Sequence, residues 1–346
     1  MGAIHTYNPA KHPSLSEFCR RGRKSQTIVC NIHRCLLRSP SFFPYFMLVA
    51  FEGGGILRAL LLLLLSPLLL ILDDEMEMRV MIFVTFFGMR VRDMESVSRM
   101  VLPKFYLENL NLRAYEALDS AGTKAVFTVV PRIMVEAFLK DYLDVDSVVG
   151  TELCTVGDFF TGLVSPSGLL VKHRAVEDLF GDERPDVGIG SSSVCDHLFV
   201  SLCKEAYVIT GDDDVAKMSR SRYPKPLIFH DGRLAFLPTP AATLWMFTWL
   251  PVGIPIAILR LFIGSVFPCH LIIPLCAATG MDLRVSGPTQ PANGNNKGKG
   301  ILYVCNHRIV YDPAFLTGAL RKPLTTVTYG LSRTSEIISP MKIVRD

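Results

Sequence analysis

Short apolar runs and amphipathic segments alternate along the first two thirds of the chain. Residues 27–32 (TIVCNI), 124–130 (KAVFTVV), 147–153 (SVVGTEL) and 186–190 (DVGIG) are runs of strand length with little polar alternation. That pattern predicts strands buried on both faces, as in a parallel sheet. Residues 94–110 (MESVSRMVLPKFYLENL) and 131–143 (PRIMVEAFLKDYL) predict helices. Strand–helix alternation predicts an α/β domain, whose ligands would bind beyond the carboxyl ends of its strands.

Two longer apolar stretches interrupt this pattern. The first, 42–72, is densest over 56–72, where only Arg58, Ser66 and Pro67 depart from it. At about 17 residues this segment sits at the lower limit of a membrane span. It predicts a buried or interfacial helix, or a span with Arg58 snorkelling to head groups. The second stretch, 241–275, opens with Trp245 and Trp249 and is broken by Pro251, Gly253, Pro255 and Arg260. Interfacial aromatics and closely spaced prolines predict membrane contact through a kinked or re-entrant hairpin rather than a straight span. Gly53–Gly55 precede leucines without the Lys-Ser/Thr of a phosphate loop, so they predict a turn into the apolar helix.

Composition narrows the function classes. Of 346 residues, 49% are hydrophobic, which excludes a disordered chain. A net charge of +4 gives no reason to expect a nucleic-acid partner. The nine cysteines form no CxxC pair, and His173, His197 and His230 lack ligand spacing, so no metal site is predicted. The GDDD run at 211–214 predicts a solvated loop. Residues 1–38 are basic and lack an apolar signal core, as in a transit peptide or a cytoplasmic flank. The domains expected are a basic segment (1–26), an α/β domain (27–210) with the apolar insert 42–72, a linker (211–240), a membrane-associated segment (241–275) and a further α/β piece (276–346).

The most informative stretch is CNHRIVYDP, 305–313. A strand predicted over ILYVCN delivers His307 to its carboxyl end. Asp312 before Pro313 fits a helix N-cap with proline in the first turn. A carboxylate so placed can fix the tautomer of an imidazole and stabilise its protonated form. The other ring nitrogen can then take a proton from a hydroxyl. No serine or cysteine nucleophile is required, which suits direct attack of an alcohol on an activated acyl carbon.

The NHRxxxDP block after an apolar strand resembles the H-x4-D block of glycerolipid acyltransferases. The phrases SFFPYFMLVAFEGG, VLPKFY, PRIMVEAFLKDYL, GTEL, IFHDGRL, VTYGLSR and SEIISP extend that resemblance to the plant glycerol-3-phosphate acyltransferases of cutin and suberin synthesis, over residues 27–346. The resemblance implies acyl transfer from acyl-CoA to glycerol 3-phosphate, usually at sn-2, by an enzyme of the endoplasmic reticulum membrane, with no cofactor. The basic N-terminus keeps a mitochondrial location open. His307 would be the general base, Asp312 its orienter and Arg308 a contact of the acceptor phosphate. Ile309 and Tyr311 depart from the family's usual residues. The family's later Gly- and Arg-containing block is not found before Asp346, so the expectation is a truncated acyltransferase domain with little activity alone. The alternative is an inactive membrane protein with an interaction or regulatory role.

The same resemblance implies a haloacid-dehalogenase-like fold for the N-terminal domain. Active members carry a DxDGTLL-like loop after the first strand. Here Asn31 replaces the nucleophilic Asp, and His33 replaces the second acid. Thr128 and Lys172 fill the hydroxyl and lysine positions. Ser191 replaces a Mg²⁺-binding acid, and Asp196 follows it. Magnesium prefers carboxylate oxygens. The expectation is a structural domain without phosphatase turnover.

Overall fold

The computed structural model describes residues 12–18, 23–39, 41–181, 183–191, 193–209, 218–227 and 234–282, with short pieces at 303–304, 316–317, 319–320, 324–328 and 342–345. The chain divides into two compact units, Met1–Leu244 and Trp245–Asp346.

In the first unit, β1 (Thr27–Asn31) is followed by six helices: α1 (Phe43–Gly54), α2 (Ile56–Leu69), α3 (Asp74–Phe86), α4 (Val91–Met100), α5 (Leu102–Glu108) and α6 (Leu112–Asp119). Then come β2 (Thr123–Pro131), α7 (Arg132–Leu143), β3 (Ser147–Thr151), a hairpin of β4 (Leu153–Val156) and β5 (Phe159–Val164), α8 (Lys172–Phe180), β6 (Val187–Ser191), α9 (Val194–Ser201) and β7 (Glu205–Ile209). Five strands form one parallel sheet in the order β3-β2-β1-β6-β7.

The four expected strands are therefore present; β1, β2 and β6 are buried, and β3, at the sheet's edge, is half-buried. The expected helix over 94–110 is two helices, because the chain turns at Val101 and restarts with Pro103 in the first turn of α5. On one face of the sheet, Val29, Ala125 and Phe127 pack on Ala175 and Val176 of α8 and on Phe199, Val200 and Cys203 of α9. A Cβ on Gly190 would stand 2.8 Å from Val200 Cγ1 and 3.2 Å from Asp196 Cβ. Only a glycine lets α9 approach β6 this closely. Gly190→Ala is expected to cost about 1–3 kcal/mol by overpacking, read as a lower midpoint in chemical denaturation with an unchanged slope.

The segment before β1 belongs to this unit. Val208 donates its N–H to Pro13 O (3.1 Å), Ser14 bridges Val208 in parallel, and Leu15 is buried. Residues 13–14 thus cover part of the β7 edge, which would otherwise present unpaired backbone groups.

The first apolar stretch folds as two helices, and the turn expected at Gly53–Gly55 is present. Gly55, at φ 85°, makes the corner between α1 and α2. The first turns of α1 are wholly buried, whereas α2 buries Ala59, Leu62, Leu63 and Leu69 and exposes its opposite side. Arg58 does not snorkel. Its Nη1 donates to Thr85 O (2.8 Å) and its Nη2 to Phe87 O (2.7 Å). The last carbonyls of α3 lack helical partners, and a guanidinium fork satisfies two acceptors at once.

In the second unit, α10 (Pro240–Val266), which starts in the first unit, runs unbroken through Pro251 and Pro255. The break expected at those prolines falls instead at 267–268, where α11 (Cys269–Ala278) begins. Each proline removes its own N–H donor and crowds the carbonyl four residues before it, and the helix absorbs both without ending. Arg260 donates to Thr279 Oγ1 (2.8 Å) and Thr279 O (2.6 Å), which ties the end of α11 back to α10. The apolar stretch is thus one long unbroken helix followed by a short one, joined by this tie, and the break expected at its prolines is absent. Among the described residues, Pro240–Gly264 is the one helix long and apolar enough to cross a membrane. The remaining described strands, β8 (Thr325–Thr328) and β9 (Lys342–Arg345), pair in parallel.

Candidate functional site

The carboxyl ends of β1 and β6 converge on one side chain, Asp196. Asn31 is the last residue of β1 and Ser191 the last of β6. Lys172 opens α8, and Asp196 lies in the first turn of α9, where the helix dipole favours a carboxylate. Ser193 caps that turn by accepting the Asp196 N–H (3.3 Å).

Asp196 is fully buried and accepts from four donors. Lys172 Nζ pairs with Oδ1. Oδ2 accepts from Asn31 Nδ2 (2.6 Å), Ser191 Oγ (2.5 Å) and Ser191 N (3.0 Å). Burial pushes the carboxyl upward, but the Lys172 ammonium and the Ser191 hydrogen bonds outweigh it, and its pKa lies below the ordinary carboxylate value. Asn31 is equally committed. Its Nδ2 also donates to His33 O (3.0 Å), and its Oδ1 accepts from His33 N (3.3 Å).

Asn31, Lys172, Ser191 and Asp196 are therefore one hydrogen-bonded cluster. His33 joins it through its backbone N–H and carbonyl, and its ring packs on Phe42 at 4.6 Å between centroids. Thr128 is buried on the neighbouring β2, but its hydroxyl accepts from Val130 N (3.2 Å) at a register shift between β2 and β3. Nothing in the sequence marked Cys30 and Cys35. Both thiols are buried 3.3 Å apart beside this cluster, and burial pushes the Cys35 thiol well up. Their spacing matches no metal or redox motif, so packing alone reveals them. His307, Arg308 and Asp312 lie outside the described residues. Of the predicted ILYVCN strand, only Tyr303 and Val304 are described, and neither lies in a strand.

Residues 27–209 match the family described as glycerol-3-phosphate acyltransferase RAM2-like, HAD-like domain. The chain belongs to this family. It is 50% identical over 338 residues to glycerol-3-phosphate acyltransferase 1 of Arabidopsis thaliana, a match covering 92% of this chain and 57% of the relative. It is 44% identical over 319 residues to glycerol-3-phosphate acyltransferase RAM2 of Petunia hybrida, covering 90% of this chain and 66% of the relative. The chain thus spans roughly 60% of the length of these relatives. Among solved structures, a substrate-bound phosphoserine phosphatase is similar over 54% of this chain and 86% of its own, at 14% identity and a TM-score of 0.36.

The HAD-like fold implies a Mg²⁺ site at the carboxyl ends of these strands, and the donor set does not fit one. Asn31 is neutral and turns an N–H toward Asp196. Ser191 offers a hydroxyl that donates to the same carboxylate. Both Asp196 oxygens are occupied by protein donors. Hard divalent cations need carboxylate oxygens that are free to coordinate. Among the described residues, no group of three or more His, Cys, Asp or Glu could hold a metal.

Proposed function

We propose that this chain acts in acyl transfer from acyl-CoA to glycerol 3-phosphate at a membrane, and that its HAD-like domain is a structural element without phosphatase turnover. The observation that carries the reading is the 50% identity, over nearly the whole chain, with a protein named for that acyltransferase activity. His307 is the general base that deprotonates the acceptor hydroxyl, with Asp312 orienting its ring and Arg308 contacting the acceptor phosphate. A base that serves only the alcohol suits an acyl donor already activated as a thioester. The acceptor position is sn-2, and the product feeds extracellular polyester or glycerolipid synthesis. No cofactor takes part beyond the acyl-CoA co-substrate.

The membrane is that of the endoplasmic reticulum, and α10 is the element that faces lipid. The hydropathy of Pro240–Gly264 and the exposure of Trp245 and Trp249 support this placement. The absence of phosphatase turnover rests on Asn31. A carboxamide cannot form the acyl-phosphate that a nucleophilic carboxylate forms, and the neighbouring Lys172 is paired with Asp196.

Membranes carrying the protein, given labelled acyl-CoA, glycerol 3-phosphate and Mg²⁺, are expected to yield a small amount of acylated glycerol, in keeping with the low activity expected of this chain alone, and that product should keep its phosphate. His307→Ala should lower that yield by about 10²–10⁴-fold, the usual contribution of a general base. Equal yield from His307→Ala would overturn the catalytic assignment. Release of inorganic phosphate from the acylated product, sensitive to Lys172→Met, would overturn the structural reading of the HAD-like domain.

A further inference from the structure

From Ala59 to Leu72 the chain carries no charged residue, and α2 lies on the surface of its unit. Its buried side chains, at 59, 62, 63 and 69, define one face. Leu57, Leu61, Leu64 and Leu68 define the other, at spacings of four, three and four residues, and all four are exposed. Leu57 is 82% and Leu64 68% exposed, and beyond the helix Leu70 and Ile71 are 87% and 82% exposed. The one cation of α2, Arg58, is turned away from this face onto the end of α3. Soluble surfaces scatter single apolar residues; a continuous stripe of this length marks an interaction surface.

Three observations identify its occupant. First, α2 has 14 residues, about 21 Å of helix, too short to cross the roughly 30 Å of a hydrocarbon core. Its buried face is also committed to α1 and α3, so it does not span. Second, a cavity of about 470 Å³ is lined by Ser66 and Leu69 of α2 together with Leu237, Thr239 and Pro240. The first residue of α10, the helix with the length and hydropathy of a span, thus borders the same cavity as the end of α2. Third, the stripe is followed by acids at Asp73 and Asp74, with Glu75 paired to Arg79, and Asp73 and Asp74 disfavour an anionic surface and leave hydrophobic burial as the driving force.

We propose that the exposed face of α2 lies in the plane of a lipid bilayer and seats the HAD-like domain on the membrane surface, immersed but not spanning. This rests on the reading of α10 as lipid-facing, and its occupant is a zwitterionic bilayer rather than an anionic one. A helix of this kind buries its apolar face by about 5–10 Å at the boundary of head groups and acyl chains. The domain is thereby held with α2 in the same leaflet throughout, and both ends of the helix stay on one side.

The test uses the full chain reconstituted in phosphatidylcholine vesicles. Trp245→Phe and Trp249→Phe remove the native tryptophans, and Leu64→Trp or Leu179→Trp adds one reporter. Leu179 is an exposed leucine of α8, on a different part of the same unit. Lipid brominated near the middle of its acyl chains is expected to quench the Leu64→Trp reporter by roughly half, consistent with shallow immersion, and to leave Leu179→Trp unchanged. Quenching of Leu64→Trp should persist in high salt and should not require anionic lipid. If Leu64→Trp escapes quenching while Trp245 and Trp249 of the unsubstituted chain are quenched, the docking face is refuted and the lipid-facing reading of α10 stands. If all of them escape, that reading fails as well. Equal quenching of Leu179→Trp would show non-specific collapse onto lipid and would also refute the proposal. Leu64 is exposed, so its replacement leaves the core intact, and matching circular dichroism of the variants confirms the fold.

Discussion

Replacing Asp196 with alanine is expected to cost the α/β unit about 3–5 kcal/mol, the range for breaking a buried ion pair by removing one partner. The carboxylate is fully buried and holds three residues from three other elements. Its loss strands the Lys172 ammonium and leaves the Asn31 amide and the Ser191 donors without their acceptor. Chemical denaturation followed by circular dichroism reads the loss. Lys172→Met combined with Asp196→Leu is expected to lose less than Asp196→Ala alone, because no bare charge remains. A double variant as unstable as the single one would show that the pair is not the source of the effect.

The same carboxylate sets a pH dependence. Its folded pKa is held below the unfolded value near 3.9. A depressed carboxyl stabilises the fold fully above its unfolded pKa, and that contribution fades as pH falls through the folded value. The wild-type protein should therefore lose stability below about pH 4 more steeply than Asp196→Ala does.

Particular residues show why some of this could be read from the sequence and some could not. The strands β1, β2 and β6 are legible because burial on both faces forces an unbroken apolar run, and the edge strand β3, though half-buried, keeps an apolar VV pair at its centre. The edge strand β7, half-buried and reading EAYVI, carries no such run, and its place in the sheet depends on pairing with β6. The resemblance located Asn31, Lys172, Ser191 and Asp196. It could not show that they bond to one another, because that follows from Gly190 letting α9 close on β6. Arg58 illustrates the opposite case. From the sequence, a lone cation in an apolar run points to head groups. The carbonyls it satisfies lie at the end of α3 and at its C-cap, 27 and 29 residues away, and only the folded chain brings them within reach.

Asn31→Asp tests whether this end of the sheet has lost its cation site or only its nucleophile. The substitution sets a second carboxyl about 2.6 Å from Asp196 Oδ2, the distance now spanned by a hydrogen bond. It also removes the donor that His33 O accepts. Two buried carboxyls that share one lysine cannot both ionise cheaply, so the introduced group takes a raised pKa. With the folded value raised, the loss from ionisation is absent well below the unfolded value near 3.9, sets in as pH passes it and grows toward neutrality, reaching roughly 2–4 kcal/mol at pH 7. This is opposite in sign to the wild-type trend. Millimolar Mg²⁺ should recover part of the loss in the variant, because a cation between two carboxylates replaces the repulsion, and should leave the wild-type melting temperature unchanged. Phosphatase turnover should stay absent, since Ser191 still stands where a third carboxylate would be needed and Lys172 is still held by Asp196. A wild-type melting temperature that rises with Mg²⁺ would show that the site still binds the ion. An Asn31→Asp variant as stable as wild type at pH 7 without Mg²⁺ would show that the amide does not carry the contact assigned to it.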